Sequence, residues 1–105
     1  MNREDKIRVI LEAFQHMREK TGMYFSTVKM AESYLRGFRT ASAICLDLPA
    51  SMKARVEVVT ERGWTSTSQG PWNEMREQGL DDAAIIDEML SIEIEVWKRA
   101  YSDLD

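Results

Sequence analysis

The chain reads as an all-α single domain spanning residues 1–105, a bundle of four main helices with a short helix after a Trp-flanked loop. Three observations predict it. The longest apolar run, residues 81–101, places Ile85, Ile86, Met89, Leu90, Val96, Trp97, Ala100 and Tyr101 at the three- and four-residue spacings of one helical face. The segments 26–45 and 51–62 begin at Ser or Thr, and the long segments before residue 64 end at Gly or ahead of Pro, as helices do. Only two prolines interrupt 105 residues.

In order, residues 4–20 carry an apolar stripe of Ile7, Ile10, Leu11, Phe14 and Met17, and Thr21-Gly22 is placed to end that helix. Met23-Tyr24-Phe25 reads as a short apolar connector tucked under the fold. Ser26 or Thr27 caps a second helix running to Cys45, with Val28, Ala31, Leu35, Phe38, Ala41 and Cys45 inward and Tyr34 on the edge. Gly37, Ala41, Ser42 and Ala43 would let a neighbouring helix approach closely. Asp47-Leu48-Pro49 ends this helix, because a residue before proline avoids the α region. Ser51 caps a third helix, residues 52–62, with Met52, Val56 and Val59 inward and Gly63 as its stop. Residues 64–71, flanked by Trp64 and Trp72, form a loop rich in hydroxyl side chains. Pro71 then opens a short helix over residues 72–78 that Gly79 closes. Asp81 and Asp82 cap the last helix, and residues 102–105 fray. Residues 55–59 and 92–96 are β-branched and alternating, so the competing reading is α+β with a small two-stranded element at those positions.

A chain of this length holds one core. One cysteine, Cys45, allows no intramolecular disulfide and reads as a buried structural thiol. No apolar run approaches the ~20 residues of a membrane span, and the opening residues are no signal peptide, so a cytoplasmic protein with no membrane partner is expected. The net charge is −4, unevenly spread: residues 1–62 hold 11 basic and 8 acidic side chains, and residues 81–105 hold 2 and 8. The acidic end speaks against nucleic acid as a partner, for which a basic face is expected.

No catalytic set emerges, and no cofactor or metal is expected. Glu12 and His16, four residues apart, share a face opposite Phe14 and should meet water, and a di-metal helical site needs several inward carboxylates and more than one histidine. The candidates for a ligand site are Tyr24, Trp64, Trp72 and Glu93. Two indoles bracketing hydroxyl and amide groups match the mixture found in pockets and hot spots. Glu93 lies on the apolar stripe between Leu90 and Trp97, where a carboxylate must be paired or functional, and Arg36 or Arg39 are its expected partners. Ile92 and Ile94 fall off the main stripe and are candidates for an interface, pointing to a protein partner or a homodimer.

The segment Lys20-Thr21-Gly22-Met23-Tyr24 after an N-terminal helix, then a long helix and a late acidic helix with a tryptophan, resembles small bacterial helical proteins. Some of those look like toxin-neutralising immunity proteins. That resemblance implies a regulatory or immunity-type role. The absent catalytic set and the broad apolar surface of residues 81–101 lead independently to the expected function, a small acidic self-associating protein that acts through protein–protein interaction. The competing function is a small-molecule-binding or enzymatic domain with its pocket near Trp64, Trp72 and Glu93.

Overall fold

The computed structural model describes residues 2–67 and 70–101. Among them the chain forms six helices and no strand: α1 (Arg3–Glu19), α2 (Thr21–Tyr24), α3 (Val28–Cys45), α4 (Met52–Glu61), α5 (Trp72–Glu77) and α6 (Asp82–Ala100). Ser68 and Gln69 of the expected loop, and residues 102–105, lie outside the described residues.

The β-branched segments at 55–59 and 92–96 are helical. Along α6, Ile92, Glu93, Ile94, Val96 and Trp97 are all buried. Burial at consecutive positions is incompatible with a strand that shows alternate residues to water.

α6 is buried because the other helices surround it. It packs against α1, α4, α3, α5 and α2, and the outer helices meet one another little apart from α1 with α2. Ile7, Ile10, Phe14 and Met17 of α1 and Val28, Ala31 and Leu35 of α3 close on it. Trp97 sits at the centre, fully buried, with ring centroids of Tyr101, Phe38 and Phe14 at 5.5, 6.2 and 6.4 Å. Each long helix starts on a side-chain cap. Asn2, Thr27, Ser51 and Asp81 accept from the backbone N–H three residues on, at 2.8, 3.1, 3.3 and 2.8 Å. Such caps contribute ~1 kcal/mol each.

Several local expectations are corrected. Thr21–Tyr24 is a further helical turn, its Thr21 hydroxyl donating to the carbonyls of Met17 and Arg18 at 3.2 and 3.0 Å. Of the apolar connector only Phe25 is buried, while Met23 is 76% exposed. Cys45 is exposed, and so are Gly37, Ala41 and Ala43, so no helix approaches a small-residue face there. Ser42 takes the inward position instead, its hydroxyl donating to the Phe38 carbonyl at 2.8 Å. The stripe Val28, Ala31, Leu35, Phe38 continues by four residues to Ser42, and Ala41 lies ~100° of helical rotation away from that axis.

α4 is turned by roughly a quarter of a revolution from the expected face. Ala54, Val58 and Val59 are inward, whereas Met52 and Val56 are 73% and 44% exposed. The rotation also carries Arg55 toward α6. Finally, Ile92 and Ile94 are 4% and 5% exposed within the single chain. The breadth of α6's apolar surface is therefore filled by the chain's own helices, and these two residues lend no support to a homodimer.

Candidate functional site

The site grows from one carboxylate. Glu93, on the fourth turn of α6, is only 1% exposed and lies where α3 and α4 both reach α6. A buried carboxylate requires compensating donors, since an uncompensated buried charge is severely unfavourable. Three are present. Arg55 of α4 donates from both terminal nitrogens, one to each Glu93 oxygen, at 3.0 and 2.8 Å. Trp97, one turn further along α6, donates its indole N–H to Glu93 Oε2 at 3.0 Å. Arg39 of α3 adds a charge contact, its Nε 3.7 Å from Glu93 Oε1. The bidentate pair is the strong geometry for arginine and carboxylate.

Glu93, Arg55 and Arg39 form the floor of a cleft of about 150 Å³ between α3, α4, α6 and the segment leading into α5, with Trp97 buried beneath it. Leu35, Met52, Val59, Met89 and Ile92 give it apolar walls, and Arg36 and Glu32 of α3 stand at its edge, paired with each other. Ser66, Thr67, Gly70, Pro71 and Trp72 form the opposite rim.

That rim is held in place by α5. Thr65 donates its backbone N–H and its hydroxyl to the two oxygens of Glu74, at 2.6 and 3.3 Å. Thr67 and Gly70 close a turn by exchanging hydrogen bonds, the Gly70 N–H donating to the Thr67 carbonyl at 3.1 Å and the Thr67 hydroxyl to the Gly70 carbonyl at 3.2 Å. Gly70 has φ +83, a conformation that favours glycine, and its hydrogen-only Cα lies next to Trp72. Trp72 is half-buried, with the Arg76 guanidinium 5.7 Å from its ring centroid.

Arg39 is the electrostatically unusual member. Burial lowers its pKa from the ordinary arginine value. The Glu93 charge opposes that shift, while Arg55 and Arg36 add to it. It remains a cation at neutral pH, but one held in a half-desolvated position with incomplete compensation.

Of the four residues singled out from the sequence, Glu93 and Trp72 share this cleft. Trp64 is placed elsewhere. Its indole N–H donates to Glu88 Oε2 at 2.9 Å, and Arg62 donates to Glu88 Oε1 at 3.0 Å and to the Ser91 hydroxyl at 2.9 Å, so this indole anchors the loop to α6. Tyr24 lies on the far side of α3's start, in ring contact with His16 and Phe25. Glu12 and His16 are exposed along a shallow groove between α1 and α6 that also borders Ile94. Among the described residues no group of three or more His, Cys, Asp or Glu side chains gathers to hold a metal. No helix of the described residues is long and apolar enough to cross a membrane.

Arg55 was not foreseen. It stands in a helix whose inward face was expected at Met52, Val56 and Val59, and its partner is 38 residues away. The available signal was the unpaired carboxylate on the α6 stripe, which required a cation from another element. Comparison with known proteins finds no family model, no curated protein and no solved structure that matches the chain.

Proposed function

We propose that this chain is a small-molecule-binding protein and that the cleft between α3, α4, α6 and Trp72 is its binding site. One observation carries this reading: apolar walls enclose a floor of fixed cationic groups, Arg39 and Arg55, in a recess of about 150 Å³. Ligand sites are typically concave and apolar with a few placed polar groups. Binding is favoured over turnover because Glu93, the one buried carboxylate at the site, is 1% exposed and accepts from Arg55 on each oxygen and from Trp97 on one. A general base requires a lone pair free to reach a substrate proton.

The test is a thermal-shift screen across neutral, anionic and cationic small molecules, read together with tryptophan fluorescence. A ligand that binds only the folded chain raises the unfolding midpoint. Hits should change the emission of the wild type and lose that change in Trp72→Phe. A broad library with no midpoint shift refutes the reading.

A protein-interaction role, the other function expected from the sequence, finds a different support from the one anticipated. Met23, Tyr24, Met30 and Tyr34 are exposed over the α2–α3 corner, and Phe25 beneath them is in ring contact with both tyrosines. Light scattering at high concentration tests self-association there, and a strict monomer removes it.

A further inference from the structure

We infer that the cleft takes a small monocarboxylate, with its carboxylate on the terminal nitrogens of Arg39 and its apolar body between Met89, Val59 and Trp72. The inference rests on the cleft being the binding site and adds the chemical class of what it holds.

Three arginines line the cleft, and they differ in what they already hold. Arg55 already makes a bidentate pair with Glu93, one donation from each terminal nitrogen, and its side chain is only 16% exposed. Arg36 is paired to Glu32 one turn earlier on the same helix. Arg39 differs. Its Nε donates to the Leu35 carbonyl at 3.2 Å and stands 3.7 Å from Glu93, beyond hydrogen-bond reach. Its terminal nitrogens donate to no protein atom among the described residues. Its side chain is 33% exposed and lines the cleft. A guanidinium with Nε fixed and its outer edge unspent is a preformed fork for a planar carboxylate.

Charge and size narrow the ligand. Among the described residues the cleft holds Arg36, Arg39 and Arg55 against Glu32 and Glu93, a surplus of one positive charge. One negative charge completes it. A dianionic phosphate ester would bring a second charge among Glu32 and Glu93 with no cation to meet it. The volume of about 150 Å³ accommodates roughly ten non-hydrogen atoms, taking ~10–15 Å³ for each water-sized position. An aryl or branched alkyl acid fits that description, with the ring or branch against the apolar walls and the indole.

The probes are phenylacetate, 3-phenylpropanoate and 4-methylpentanoate, each beside its neutral amide, with phenyl phosphate as the dianion. Binding to the full chain is followed by NMR through backbone amide shifts of residues 35–39, 89–93 and Trp72. The acids should bind at least about tenfold more tightly than the amides, tenfold being the ratio expected from one charge-assisted fork. Added salt should weaken the acids alone. Arg39→Gln should bring acid and amide to within about twofold, and Arg39→Lys, which keeps the charge without the fork, should fall between. Amides that match the acids while the cleft signals move would overturn the carboxylate assignment and leave the binding site standing. Absence of any cleft shift with all probes overturns both. Phenyl phosphate binding more tightly than phenylacetate overturns the single-charge argument. A terminal-carboxylate peptide, acetyl-Ala-Ala-Phe, binding tenfold more tightly than phenylacetate would make the occupant a chain terminus and overturn the small-molecule assignment.

Discussion

Replacing Arg55 should be far more damaging in the native chain than in one that already lacks its partner. Arg55→Met removes two charge-assisted hydrogen bonds from a carboxylate that is 1% exposed, leaving the Trp97 N–H at 3.0 Å and Arg39 at 3.7 Å. Stripping one partner from a buried ion pair typically costs ~3–5 kcal/mol. Arg39 needs to move only a short way to donate, so the lower end, about 3 kcal/mol, is expected. A chain of 105 residues has ~5–15 kcal/mol of total stability, so the loss is a large fraction of it. In thermal terms the midpoint should fall on the order of 12 °C or more. Glu93→Leu has a different consequence. It leaves the buried Trp97 indole N–H without an acceptor, at ~1–3 kcal/mol, while Arg55, 16% exposed, turns toward the cleft. In the double variant no buried charge remains, so it should cost about as much as Glu93→Leu alone. Urea unfolding of the four proteins gives the coupling directly, and about 3 kcal/mol is expected. Additivity within ~0.5 kcal/mol would refute the reasoning, because it would mean that Arg55 does not compensate Glu93.

Three other outcomes follow from the same geometry. Burial raises the Tyr101 pKa above its ordinary 10.0, with Asp47 adding and Arg3 opposing. The folded state therefore keeps this proton where the unfolded chain releases it, so stability is intact below about pH 10 and declines as pH rises through the raised value. Tyr101→Phe should flatten that alkaline decline in urea midpoints, while losing ~1 kcal/mol at neutral pH because the hydroxyl donates to the Pro49 carbonyl at 2.8 Å. Cys45, exposed at the end of α3, should react stoichiometrically with an aromatic disulfide reagent in the native protein, and a thiol released only in denaturant would contradict its placement. Trp64→Phe should cost ~1 kcal/mol and speed amide exchange in residues 64–67 without altering ligand affinity, since its indole N–H is bonded to Glu88 and not to the cleft.

The all-α architecture was legible because its signals are local. Thr27, Ser51 and Asp81 cap the helices that their positions in the sequence suggest, and α6 announces itself by periodicity. The phase of α4 was not legible. Its apolar residues at 52, 56, 58 and 59 are spread round the helix, and the deciding inward residue, Ala54, is too small to mark a stripe. The error in phase hid Arg55, and with it the floor of the cleft. Glu93 could be identified as requiring a partner, because a carboxylate on an apolar stripe violates the pattern. Which cation answers it depends on how three helices cross, and no spacing along the chain encodes that. The two loop tryptophans illustrate the same limit. They bracket one loop symmetrically in sequence, yet Trp64 turns to Glu88 on α6 while Trp72 faces the cleft.

The position of α6 in the chain has a consequence for how the protein is made. Every other helix packs on α6, and α6 follows all of them in the sequence. A nascent chain thus carries α1 to α5 with their apolar faces open until the segment they enclose has been translated. Helices of that length are marginal alone in water, so the emerging portion is expected to stay largely unfolded until α6 is available. The same order makes the molecule divisible. Residues 1–80 should remain unfolded by themselves and acquire helicity on addition of a separate peptide spanning 81–101, assembling the cleft from two pieces.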